Sequence, residues 1–420
     1  MTTIQQIGIM TSKKTSSLSD VSIWIASLGC IASVSPWFIW SFPAIRMVIM
    51  LLFVCIRIFL IKPRYSYATL LSLFGVILFS FVYCQFFVVS IKASLSPVAS
   101  ILLPVMLFIL LDGNEKKIFL NRTINIFSVI LFFSLVWYLL YFFIDLPYRI
   151  LRNNNPGYPL FRNYFFFIIT ETNVSALFPR FNSIYTEPGH QGMTCAILLY
   201  ISGYSLRKWQ NIMMTISLIC SFSLAGYVLY AIGLILYILS RSHNIAITSF
   251  KIVTTVVIVI VCGMAWYSPT NDDVVSIKIL SRLELDESGD IAGNNRNTAN
   301  FEQYFDKFTH TDKKYFGIGT TEFDSRYRAT SNSSYKNFVI AHGYVGLLSM
   351  LFMMGIHLFS FPSRRGLGLM LLLCASFLQR PYFLWAIQVM PYIAALEIFC
   401  MNSKKCMVKR VASQRKITKK

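Results

Sequence analysis

The sequence predicts an all-α polytopic membrane protein with about 12 transmembrane helices, joined by short turns and two long polar loops. Three observations predict it. Of the 420 residues, 55% are hydrophobic and 13% charged, against roughly 25% charged in a soluble domain. Apolar runs near the ~20 residues needed to cross about 30 Å of hydrocarbon recur along almost the whole length. Those runs lack the strand alternation of a closed barrel, the other way to satisfy backbone groups in lipid.

Taken in order, the predicted spans are 21–40, 43–61, 67–90, 95–112, 123–145, 189–206, 211–222, 225–240, 252–267, 337–360, 366–379 and 382–401. The run 211–240 is too long for one upright helix and short for two, and charge decides it. Arg207 and Lys208 precede it, while Arg241 and Lys251 follow. Both ends therefore face one side, and the chain crosses twice. Gly226, after Ser221 and Ser223, offers the break. With this count the clusters Lys13/Lys14, Lys62/Arg64, Lys116/Lys117/Arg122, Arg207/Lys208, Arg241/Lys251 and Arg364/Arg365 share a side with the basic tail 402–420. Positive charge marks that side as cytoplasmic, with both termini. The loops 146–188 and 268–336 then lie outside, as parts of a single membrane domain over 1–420. The polar N-terminus has no cleavable signal pattern, so the first span is expected to be retained.

The net charge of +20 does not point to nucleic acid. From Lys404 to Lys420 there are eight basic residues and no acidic one, a pattern suited to topology and to anionic lipid headgroups. None of the nine cysteines falls in either long loop, so no disulfide framework is expected. There is no CxxC pair for zinc, and Asp286, Glu287 and Asp290 lack calcium-loop spacing. No metal and no cofactor is expected.

Chemistry concentrates in the outer loops. In RFNSIYTEPGHQGM, Arg180–Met193, Pro188 suits the first turn of a helix. Glu187 then sits near the positive end of that helix dipole, with Thr186 as a possible cap. His190 and Gln191 face inward along the first turn. An arginine and a glutamate in one mouth hold an anion and accept a proton; a salt bridge closing the turn fits the same residues. The second loop carries nine Lys/Arg and eleven Asp/Glu, so its charges do not serve topology. It holds Arg282 and Arg296, whose planar forks suit phosphate. It also holds Gly317 and Gly319, which permit either a close backbone approach or a tight turn. The polar stretch Asn332, Ser333, Ser334 and Tyr335 opens the tenth span. Arg46 and Arg57 lie near the ends of the second run, where snorkelling and lipid-carrier binding both fit.

The order of these motifs resembles the O-antigen polymerase and ligase families of bacterial membrane proteins. Those families show an arginine, a small residue, Glu-Pro and a glycine; here stand Arg180, Ser183, Glu187-Pro188 and Gly192. The family usually has glycine where Ser183 stands. A later outer loop has an arginine about twenty residues ahead of G-x-G, then a polar motif opening a span, matched by Arg296, Gly317/Gly319 and Asn332–Gly346. Ligases tend to carry His-Asn eleven residues before the first glycine of that span. Here Asn332-Ser333 stands there without the histidine, which favours polymerase over ligase.

The resemblance implies a metal-independent, GT-C-like glycosyltransferase at the periplasmic face of the inner membrane. Donor and acceptor would be glycans on undecaprenyl pyrophosphate, with a chain-length regulator and a flippase as associated proteins. Arg180 and Arg296, with Arg282 as a further candidate, would stabilise the departing pyrophosphate. Glu187 would serve as general base, or would orient an arginine. Tyr185 would stack on sugar, His190 would lie beside it, and Asn332, Ser333, Ser334 and Tyr335 would bond its hydroxyls. A transporter fits the span count, but carriers usually keep short loops and mid-membrane polar residues.

Overall fold

In the computed structural model, residues 17–84, 98–242 and 299–417 are described, except 43, 63, 154–158, 175–177 and 328–334; residues 244 and 247 are described as well. Helices overlap every predicted span except 252–267, which lies outside the described residues. The first are α1 (Ser17–Ser33), α2 (Ala44–Ile58) and α3 (Tyr67–Cys84). A π-helical turn, Val98–Leu102, leads into α4 (Leu103–Ile109). Then come α5 (Gly113–Leu140), α6 (Pro188–Ser202), α7 (Trp209–Cys220) and α8 (Leu224–Arg241). Three short helices, α9 (Ala299–Thr309), α10 (Lys313–Phe316) and α11 (Thr320–Tyr327), precede α12 (Tyr335–Ser360), α13 (Arg364–Gln379) and α14 (Ala386–Ile417).

Among the described residues, five helical segments are long and apolar enough to cross a bilayer: α3, α5, α8, α12 and Ala386–Ser403 of α14. The chain is a helical membrane protein. Its main core is one contiguous cluster through α1–α8 and α12–α14, centred on residues such as Phe53, Phe119, Leu198 and Leu396.

Two expectations need correction. The polar segment before 123 is helical, because Asp112 and Glu115 form a capping box that starts α5 at Gly113. The break in 211–240 falls at Ser221–Ser223 rather than at Gly226. Ser223 caps α8 by accepting the Gly226 N–H at 3.2 Å. Gly226 itself lies inside α8, where an added Cβ would stand 3.2 Å from the Gly192 Cα; the pair brings α6 and α8 together as small residues do in membranes. Beside the helices of the expected all-α bundle there is one small sheet. The first loop contains a three-stranded antiparallel sheet, β1 (Arg149–Leu151), β2 (Phe161–Asn163) and β3 (Ile168–Thr170), with Phe161 opposite Thr170. Phe161 and Ile168 bury against Trp40, which anchors the sheet.

The bundle has two chemically distinct ends. At one, buried Arg57 makes a two-pronged contact with Glu115 at 3.0 and 3.2 Å. There Lys62 pairs with Asp112, Lys116 with Glu397, and Arg122 with Asp20. The other end carries the sheet, the segment 180–187 and the α9–α11 cap. That cap has its own small core of Phe301, Phe308, Ile318 and Phe323 packed on Val339, Ile340 and Ala341 of α12.

Candidate functional site

The segment 180–187 is fixed from several sides before it enters α6. The Trp37 N–H donates to the Ile184 carbonyl at 2.9 Å, and the Phe181 N–H to the Cys220 carbonyl at 3.1 Å. Ser183 has φ 53°, in the left-handed region that favours glycine. Its hydroxyl bonds the Ser134 hydroxyl at 2.7 Å, and its carbonyl accepts the Ile168 N–H at 2.9 Å. Glu187, at φ −136° and ψ 141°, is the residue that precedes the helix, and Pro188 takes the first helical position. Thr186 does not cap α6; its hydroxyl bonds the Ser35 carbonyl at 3.3 Å.

Glu187 meets a partner from the far end of the sequence. Arg380, just past α13, brings Nη1 to 2.5 Å from Glu187 Oε2. The two side chains are 12% and 25% exposed, so the pair is largely withdrawn from water and accessible through the carboxylate. His190 Nε2 lies 3.7 Å from the same oxygen. The guanidinium reaches this place because residue 189 is glycine; a Cβ there would lie 2.8 Å from Arg380 Nη2. The imidazole packs edge-on against both Tyr382 and Trp385, at centroid distances of 5.1 and 4.9 Å. Those two rings stack on each other at 4.0 Å and 11°. A loop, a helix start and the α13–α14 turn thus converge on one carboxylate.

Trp385 also lines a cavity of about 510 Å³ that runs between the starts of α2 and α14, the end of α1 and the π-helical turn. Its walls are mainly apolar, with Met47, Met50, Pro104 and Leu384. Arg46 is the one charged lining group among the described residues. This volume falls within the usual range for small-molecule sites, roughly 300–1,000 Å³. A mainly apolar chamber with one guanidinium suits a molecule that joins a greasy part to an anionic one.

The predicted site residues divide sharply. Glu187 and His190 belong to the cluster. Arg180 is half-buried beside the α7–α8 break, its Nε donating to the Ser221 carbonyl at 3.3 Å. Tyr185 is wholly buried and stacks on Phe127 at 5.9 Å, so no sugar reaches its ring. Burial pushes its phenol well above the ordinary value. Gly317 and Gly319, at φ 78° and 85°, let the cap lie against α12. The Ile318 and Gly319 N–H groups donate to the Ile340 and Ala341 carbonyls at 2.9 and 3.0 Å. Their close approach is to this chain's own backbone rather than to a ligand. Tyr335 opens α12 and faces Phe305 at 6.4 Å. Arg282, Arg296, Asn332, Ser333 and Ser334 lie outside the described residues.

The sequence reading missed Arg380, Tyr382 and Trp385, and it left Arg46 without a place. A signal for Arg380 was present: it is a lone charge between the two apolar runs 366–379 and 382–401. Among the described residues no group of three or more His, Cys, Asp and Glu is arranged to hold a metal ion. Compared with known protein families, with curated proteins and with solved structures, the chain matches none.

Proposed function

We propose that this protein polymerises undecaprenyl-pyrophosphate-linked oligosaccharide repeat units into O-antigen, by glycosyl transfer at the periplasmic face of the bacterial inner membrane. The observation that carries the reading is the Glu187–Arg380–His190 cluster beside a mainly apolar cavity that holds Arg46. In this reading the chain crosses the membrane twelve times, both termini are cytoplasmic, and the cluster faces out. The conformation of Ser183 supports the resemblance, because a position where related proteins usually have glycine adopts a backbone that glycine prefers.

Each group has a physical task. A hydroxyl of the acceptor sugar attacks the anomeric carbon of the donor glycan. The bond from that carbon to the pyrophosphate oxygen breaks, and the lipid pyrophosphate leaves as an anion. Arg46 and Arg180, with Arg296 from the second loop, provide fixed positive charge for it in a water-poor setting. The hydroxyl proton passes to Glu187, whose carboxylate Arg380 holds in one orientation. The Tyr382/Trp385 stack offers an aromatic wall for a sugar ring or an isoprenoid.

Deleting the gene should leave lipid A core capped by a single repeat unit; core alone would instead indicate ligase or flippase activity and refute the proposal. In purified form, the protein in liposomes should lengthen lipid-linked repeat units without added metal. Arg380→Ala and Arg46→Ala should each remove the long-chain ladder while the protein remains in the membrane. A normal ladder from both variants would dismiss the site.

A further inference from the structure

A second cavity, of about 520 Å³, opens at the opposite end of the bundle, between α5, the end of α6, the start of α7 and α14. Lys117, Lys208 and Arg365 line it, and no carboxylate does. The charge balance of that end makes the absence informative. Its described carboxylates are Asp20, Asp112, Glu115 and Glu397, and each is paired with another cation: Arg122, Lys62, Arg57 and Lys116 respectively. Of the cations these pairs leave over, Lys117, Lys208 and Arg365 meet in one concavity.

The cavity is built to present donors. Arg365 is fixed by donating from Nη2 to the Tyr200 and Ile201 carbonyls at 2.8 and 2.7 Å, and its guanidinium lies 4.1 Å from the Phe399 ring centroid. Its Nε is buried and makes no hydrogen bond among the described residues. Lys208 precedes α7, whose first turn adds the positive end of a helix dipole. Gln210 donates to Asn125 at 2.7 Å, which ties α7 to α5 across the cavity. Leu120, Ile124 and Phe399 supply apolar wall on helices that continue into the bundle.

The geometry points to a binding site for the phosphodiester headgroup of an anionic phospholipid. Three cations and several amide donors around an open chamber match a phosphate with polar substituents. The apolar wall beside them gives acyl chains a path along the bundle. A free phosphate would use the same donors but would leave that wall uncovered. The inference is independent of any glycosyl transfer.

The test uses the full-length protein in nanodiscs of phosphatidylcholine with a spin-labelled phosphatidylglycerol probe, read as immobilised lipid. Wild type should retain phosphatidylglycerol over phosphatidylcholine, and Lys117→Ala/Lys208→Ala should weaken that preference about tenfold, two cations at a few-fold each. Both lysines are exposed, so the variant should fold. Lys62→Ala, at the same end but paired with Asp112, should change the preference less than twofold. An unchanged preference in the double variant, or an equal loss in Lys62→Ala, would overturn the site. Displacement of the probe by millimolar inorganic phosphate at constant ionic strength would overturn the lipid assignment in favour of a free anion.

Discussion

Replacing Arg380 by alanine removes the cation that faces Glu187 and leaves a carboxylate three-quarters withdrawn from water. The pair is separated by 2.5 Å, with side chains 12% and 25% exposed. Breaking a fully buried pair costs about 3–5 kcal/mol, whereas an exposed one costs about 0–1 kcal/mol. A pair at this depth should lose roughly 2–3 kcal/mol on Arg380→Ala. Glu187→Ala should cost about the same, since it strands the guanidinium over the positive start of α6. The double variant should be little worse than either single one, giving a coupling of about 1.5–2.5 kcal/mol. Unfolding of the purified variants in mixed micelles, followed by tryptophan fluorescence, measures all four corners of the cycle. Coupling below about 0.5 kcal/mol would mean that the contact is incidental, and the site would lose its anchor. The same variants divide the roles of Glu187. Glu187→Gln keeps an acceptor for Arg380 but takes no proton, so polymer formation should fall at least ~100-fold while stability falls by less than about 1.5 kcal/mol. Retained polymer formation in that variant would restrict Glu187 to positioning.

Other perturbations probe the scaffold. Gly343 has φ 70°, and a Cβ there would run into the Tyr315 carbonyl; Gly343→Ala should detach the cap, seen as faster proteolysis within 299–327, with a cost above about 2 kcal/mol. Arg57→Ala should destabilise by about 3–5 kcal/mol in the same unfolding assay, while Arg57→Met/Glu115→Leu should recover most of that loss. Gly226→Val should push α6 from α8 and cost about 2–3 kcal/mol, while Gly226→Ala should cost less, about 1 kcal/mol, since its Cβ, 3.2 Å from the Gly192 Cα, is a tight contact that α6 must yield to by only a few tenths of an ångström.

The helices were legible because lipid demands long apolar runs, and the division of 211–240 into α7 and α8 was expected because basic residues at both ends of that run called for two helices rather than one. The site was legible by halves. Pro188 and Glu187 announced a helix start, since proline and a carboxylate at that point have local reasons to be there. Arg380 is 193 positions beyond Glu187 in the sequence, and no local pattern encodes such a partner. Tyr185 and the Gly317/Gly319 pair were misjudged for a related reason. An aromatic ring or a glycine beside a polar motif has the same appearance whether it serves a ligand or the packing of its own chain, and the packing depends on Phe127 in one case and Ala341 in the other.

The brevity of α7 has a consequence for the surrounding bilayer. Its 12 residues rise only about 18 Å, at 1.5 Å each, against about 30 Å of hydrocarbon. Ile212, Ile216 and Ile219 make its outer flank apolar and exposed. In the proposed topology α7 is a crossing, so lipids along that flank meet a greasy strip some 10 Å too short, and the leaflet dimples toward the Ser221 turn to avoid stranding acyl chains against polar backbone. With that topology, such a depression would thin the membrane beside Arg180 and shorten the climb for any headgroup approaching from the outer leaflet.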